Sequence, residues 1–172
     1  VQANPASGWL FVNWTENNVN VSNNSSYSFV ANNNRSLIAN FSKDIYSISA
    51  FPSPIEGGSI SGTGSFYYGQ IATLIAAANP GWAFVNWTKN GTIVSTDSNY
   101  IFTVNSSENL LANFKLADYL INCSSEPSEA GFTSGCGIAR YNQTMTISAE
   151  PNNGYKFANW TENGVVVSTE IE

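Results

Sequence analysis

One phrase occurs three times in this chain at a single spacing. It reads Phe11-Val12-Asn13-Trp14-Thr15, then Phe84-Val85-Asn86-Trp87-Thr88, then Phe157-Ala158-Asn159-Trp160-Thr161, each copy 73 residues after the last. A fixed period constrains a chain more than any isolated motif, because copies of one small unit fold as repeated modules. The register needs no gaps. Ala39-Asn40-Phe41 recurs as Ala112-Asn113-Phe114; Gly58, Gly62, Tyr68 and Gln70 recur as Gly131, Gly135, Tyr141 and Gln143; Gly8, Gly81 and Gly154 align. The expected organisation is 1–43 as the C-terminal part of a first repeat, 44–116 as a complete repeat and 117–172 as the N-terminal part of a third. Boundaries that cut across the period suggest a piece of a longer array.

Modules of about 70 residues lie near the lower limit of independent folding. The net charge is -6, histidine is absent, and Asn, Ser, Thr and Gly abound among regularly placed aromatics. An acidic chain lacks the basic footprint that nucleic acid requires and does not suit anionic lipid. No run is long and apolar enough to span a membrane. Asn-x-Ser/Thr sequons are dense, including Asn13, Asn40, Asn86, Asn90, Asn105, Asn122, Asn142 and Asn159. Both chance in an Asn-rich chain and glycosylation of a secreted protein account for them.

Cys123 and Cys136 are the only cysteines, and Ala50 and Thr63 replace them in the middle copy. They lie symmetrically about Glu129-Ala130, where a hairpin turn is expected to set them on paired strands. Two cysteines without histidine make a poor metal site. A disulfide is the expectation, and with it an oxidising compartment.

Comparing copies shows which strand faces are buried. Ala72/Met145, Leu74/Ile147 and Ala76/Ala149 stay apolar, while Ile75/Ser148 and Ala77/Glu150 do not. A period of two with one tolerant face is a half-buried strand. The same test assigns Tyr100, Phe102 and Val104, then Leu110, Ala112 and Phe114, then Tyr46, Ile48 and Ala50 to the core. Asn90-Gly91 and Asn163-Gly164 carry the type I′ hairpin signal, with Asn17-Asn18 in their place in the first copy. The middle unit reads as seven short strands near 45–51, 58–63, 71–77, 82–88, 92–95, 99–104 and 109–115. The expected class is all-β: tandem small antiparallel modules arranged as beads in an elongated array.

The repeated tryptophan has two open readings. On an uninterrupted strand Phe84 and Trp87 face opposite sides, so Trp14, Trp87 and Trp160 are candidate platforms for stacking sugar rings, with Trp9, Trp82 and Tyr155 behind them. Alternatively the indole is structural packing at a sheet edge, or a β-bulge turns it inward.

The run Gly57-Gly58-Ser59-Ile60-Ser61-Gly62-Thr63-Gly64, with Tyr68, Asn79-Pro80-Gly81-Trp82-Ala83-Phe84-Val85-Asn86-Trp87-Thr88-Lys89-Asn90-Gly91 and Leu110-Leu111-Ala112-Asn113-Phe114, resembles the divergent internalin-type B-repeat. It is also similar to the related Listeria–Bacteroides repeat. The resemblance covers essentially the whole chain. It implies tandem β-grasp-like modules of secreted or cell-surface proteins, and no catalytic residue.

Without histidine there is no Ser-His or Cys-His pair, and the carboxylates are scattered over turns. Neither an EF-hand loop nor a phosphate-cradling loop occurs. No enzyme activity, cofactor or metal is expected. The leading expectation is a non-catalytic stalk or spacer, extracellular or at the cell surface, whose partners are neighbouring repeats. The alternative is an adhesin-type module for a glycan or another surface protein. The third copy lacks counterparts of Tyr100–Phe114, which the first 43 residues contain, so strand exchange between chains is a further candidate.

Overall fold

The computed structural model describes residues 1–172. The chain is all-β, with two short 3-10 turns at Ile55–Gly57 and Ser128–Ala130. The first copy carries β1 (Trp9–Glu16), β2 (Val19–Ser22) and β3 (Ile38–Lys43). The second carries β4 (Ile45–Ser53), β5 (Gly58–Ser61), β6 (Gly64–Tyr67), β7 (Ile71–Ala78), β8 (Trp82–Lys89), β9 (Thr92–Ser95), β10 (Asn99–Thr103) and β11 (Glu108–Leu116). The third carries β12 (Asp118–Ile121), β13 (Gly131–Ser134), β14 (Gly137–Arg140), β15 (Ser148–Pro151), β16 (Trp160–Glu162) and β17 (Val165–Ser168). Two compact units result: Val1–Asn79 with Phe84–Phe114, and Pro80–Ala83 with Lys115–Glu172.

The second copy is built on two sheets, ordered β6-β4-β11-β8-β9 and β10-β7-β5. β7 alternates as its sequence requires: Ala72, Leu74 and Ala76 are buried, Ile71, Thr73 and Ile75 exposed. Ile48 from β4, Trp87 from β8, Val104, and Leu110, Ala112 and Phe114 from β11 complete the core. Each fully buried large apolar side chain contributes about 1.5–3 kcal/mol. Gly57 and Gly58 lie against Phe114, and a Cβ at Gly57 would come 2.5 Å from Phe114 Cβ, so only glycine leaves the ring its seat.

Two features depart from the strand reading. The stretch expected as one strand near 58–63 is β5, and β6 follows as a separate strand. Gly62 (φ +91°) and Gly64 (φ +151°) break the run, β5 pairing with β7 in one sheet and β6 with β4 in the other. Second, β11 runs parallel to β4, Leu110 opposite Ala50, within an otherwise antiparallel design. Parallel neighbours need a long crossover, and everything from β5 to β10 supplies it.

In the first copy, β1 is flanked by β2 and β3. Asn17 and Asn18 take positive φ at the β1–β2 turn, as do Asn90-Gly91 and Asn163-Gly164 at theirs. The pairing of β1 with β3 skips Val12: Phe11 faces Phe41 and Asn13 faces Asn40. That bulge puts Phe11 and Trp14 on one side, ring centroids 6.0 Å apart. Phe84 and Trp87 repeat the arrangement at 5.8 Å, and Phe157 and Trp160 at 5.5 Å.

The second unit has three two-stranded ladders, β12-β14, β13-β15 and β16-β17. Met145–Ile147 and Tyr155–Asn159 are irregular, although their counterparts lie in β7 and β8. In the second copy those strands are flanked by β10 and β11. Cys123 and Cys136 form a disulfide. They do not face each other across a hairpin turning at Glu129-Ala130. Residues 131–134 pair with β15 instead, β12 pairs with β14, and the bridge lies just beyond the last pair of that ladder, Ile121–Gly137.

Candidate functional site

The repeated phrase is a packing device in the first unit. Trp87 is 0 % exposed and Trp14 7 %. The Trp87 Nε1–H donates to the Ser98 carbonyl at 3.3 Å, and that carbonyl also accepts the Ala76 N–H at 3.0 Å. Trp14 does the same with Ser25, which Ala3 also contacts. A buried indole with its N–H satisfied holds both sheets in register. It leaves no open face for a sugar ring, so Trp14 and Trp87 do not form a stacking platform. Trp160, the third candidate, is half-buried and lines a groove in the second unit. Trp9, 41 % exposed beneath Lys43 Nζ, is the most open indole of the first unit.

The rest of the phrase is also accounted for. Asn113 Nδ2 donates to Asn86 Oδ1 at 2.7 Å and to Thr88 Oγ1 at 3.1 Å. Asn40 repeats this on Asn13 at 2.8 Å and Thr15 at 3.0 Å. Asn-Trp-Thr and Ala-Asn-Phe are therefore two halves of one cross-strand clasp. The sequons at Asn13 and Asn86 follow from it.

A second recurring constellation lies where one copy follows another. The Asp44 N–H donates to the Gly8 carbonyl at 2.9 Å, and the Tyr68 N–H donates to the Asp44 carbonyl at 3.0 Å. The Tyr68 ring covers Gly8, whose φ is +79°; any Cβ there would overlap the ring. Ser7 Oγ donates to the Tyr68 hydroxyl at 3.0 Å. Tyr46 donates its hydroxyl to Asp44 Oδ2 at 3.2 Å, and desolvation, then Asp44, push that hydroxyl above its ordinary pKa. Within the second unit the same relay runs through Gly81, Ala117 and Tyr141. The Ala117 N–H donates to Gly81 at 2.8 Å, the Tyr141 N–H donates to Ala117 at 2.9 Å, and the Tyr141 ring lies on Gly81. The sequence signal was the recurrence of these glycines and tyrosines at the common period.

Charged groups pair and do not converge. Arg35 Nη2 meets Glu16 Oε2 at 2.7 Å, and Arg35 Nε donates to the same carboxylate. The guanidinium also lies 4.4 Å from the Phe29 ring centroid. Lys89 pairs with Glu108, and Lys115 with Asp118 at 2.9 Å. Hydrogen bonding to Arg35 holds the Glu16 carboxyl below the ordinary carboxylate range, and Lys115 does so for Asp118. No three Cys, Asp or Glu side chains come together as metal ligands would. A groove of about 700 Å³ lies in the second unit, lined among others by Ile121, Cys123, Ile147, Phe157 and Trp160. No helix is long and apolar enough to cross a membrane.

No curated protein and no solved structure matches this chain. The family model of the divergent InlB B-repeat domain matches residues 1–45, 49–118 and 121–171, nearly the whole chain. That family is a repeat domain typical of cell-surface proteins and generally without enzymatic activity. The clasp, the buried indole and the junction relay recur with the period that those segments follow, and the chain belongs to the divergent InlB B-repeat family.

Proposed function

We propose that the chain is a non-catalytic spacer of a secreted or cell-surface protein, in which a backbone relay closes the junction where one copy follows another. The observation that carries this reading is the junction: Gly8, Asp44 and Tyr68 make the same relay as Gly81, Ala117 and Tyr141. One residue, Asp44, separates β3 from β4, and both of its backbone polar groups are used. A junction with no slack and no free hydrogen-bonding group resists bending. The burial of Trp14 and Trp87 weighs against the alternative, a glycan-binding module built on the repeated tryptophan.

The test is Tyr68→Ala combined with residual dipolar couplings across Asp44. The expected result is separate alignment tensors for residues 1–43 and 45–79, where the parent chain gives one. One shared tensor in both chains would remove the junction as the source of rigidity. Binding of a cell-wall glycan with a shifted tryptophan emission would favour the adhesin reading instead.

A further inference from the structure

The first two copies hold equivalent segments through the same apolar and amide contacts, yet the sign of one contact is reversed between them. Tyr27, Phe29 and Leu37 have Tyr100, Phe102 and Leu110 in their places. Phe41 meets Phe11 edge to face at 5.9 Å, and Phe114 meets Phe84 at 5.8 Å, both at 76°. The clasp made by Asn40 is made again by Asn113, on the same residue types. Nothing in these contacts tells residues 26–43 from residues 99–116. Chain length discriminates weakly. Glu16 and Arg35 are 19 residues apart, whereas the crossed pairs Arg35–Lys89 and Glu16–Glu108 are 54 and 92 apart. Closure cost grows only with the logarithm of loop length, a preference on the order of five- to tenfold.

The charges do discriminate. At the end of β1, Glu16 accepts hydrogen bonds from Arg35 Nε and Nη2, the latter at 2.7 Å. One period later the polarity is reversed: Lys89 ends β8, and its ammonium meets Glu108 Oε2. That oxygen is buried, and Ser106 Oγ donates to Oε1 of the same carboxylate at 2.9 Å. The Arg35 and Glu16 side chains are only 18 % and 21 % exposed, so a like charge placed there is poorly screened. Docking residues 99–116 on β1 would set Glu108 against Glu16. Docking residues 26–43 on β8 would set Arg35 against Lys89. Each crossing turns an ion pair into a like-charge contact.

We propose that the reversed ion pair is the mark by which each copy takes up its own segment during folding. Glu16, Arg35, Lys89 and Glu108 are then specificity-determining residues. The partner they reject is the equivalent segment of the adjacent copy, in the same chain or in a second molecule. Repeats that share their contacts misassemble by such exchange. Attraction cannot separate partners with the same apolar and amide groups, but repulsion in the wrong pairing can. The correct pairing keeps one cation and one carboxylate whichever strand carries which, so polarity is free to serve this purpose.

The test makes the two polarities agree while keeping both pairs. Lys89→Glu with Glu108→Arg gives the second copy the polarity of the first. Glu16→Lys with Arg35→Glu gives the first copy the polarity of the second. Each chain, with its disulfide intact, is unfolded in urea and refolded by dilution. Tryptophan emission reads the correctly refolded fraction, and sedimentation reads exchange between molecules. Both chains are expected to yield about tenfold more misfolded or dimeric material than the parent at equal concentration; if one does not fold at all, the other decides. Combining all four substitutions restores opposite polarity with every charge exchanged, and is expected to return refolding to that of the parent. Chains of agreeing polarity that refold as cleanly as the parent overturn the proposal. So does a fourfold variant that misfolds as much as they do.

Discussion

Asn113 donates one side-chain amide to both Asn86 and Thr88, at 2.7 Å and 3.1 Å, tying β11 to β8 through side chains. The half-buried clasp leaves little room for water to replace a missing partner. Asn113→Ala is expected to lower stability by about 1–3 kcal/mol, the cost of leaving polar groups unpaired. Asn113→Asp sets a carboxylate against Asn86 Oδ1, with only the Thr88 hydroxyl able to donate to it, and is expected to cost more. Urea unfolding of both variants measures the difference.

Trp87 is the largest fully buried side chain. Trp87→Ala is expected to cost about 3–5 kcal/mol, since the cavity adds to the lost transfer energy. Trp9→Ala, at an exposed position, is expected to fall within about 0.5 kcal/mol of the parent. Acrylamide quenching reads the same contrast: the quenchable fraction of emission falls when Trp9 becomes Phe and rises when Trp87 does. Equal quenching changes would mean that Trp87 is open to solvent.

The core was legible because three copies of one fold sample substitutions that a single copy hides. Glu150 opposite Ala77 marked the outer face of β7, and Ala76 with Ala149 marked the inner one. The tryptophan face was not legible. A bulge skips Val12 between Phe11 and Asn13, and a one-residue slip reverses every side chain after it. β6 was hidden for a related reason: Gly62 and Gly64 let the chain change sheets, which composition reports only as a glycine-rich loop. The parallel placing of β11 beside β4 has no local signal, because it joins the two ends of a repeat.

Glu16 links the first copy to pH. Its carboxyl is held below the ordinary range by hydrogen bonds from Arg35. A group with a lowered folded pKa stabilises above its unfolded pKa, and that contribution is lost as pH falls through the folded value. Glu16→Gln is therefore expected to lower stability near neutrality and to flatten its acid limb. Thermal melts of both chains from neutral pH down through the carboxylate range check the sign. A steeper acid limb in the variant would refute the assignment.

Reduction of Cys123–Cys136 is expected to divide the molecule's unfolding. Among buried apolar residues only Ala139 belongs to the second unit, whereas Trp87, Ile48, Leu74, Leu110 and Val104 all serve the first. The bridge spans a sequence separation of 13. Closing a loop of that size restricts the unfolded chain by about 3 kcal/mol, a large share of what a unit with so small a core can hold. The first unit contains no cysteine and gains nothing from the bond. Hydrogen exchange after reduction is expected to show lost protection in β12 and β14, with β4, β7 and β11 unchanged. If all strands lose protection together, the two units unfold as one, and the disulfide stabilises the whole chain.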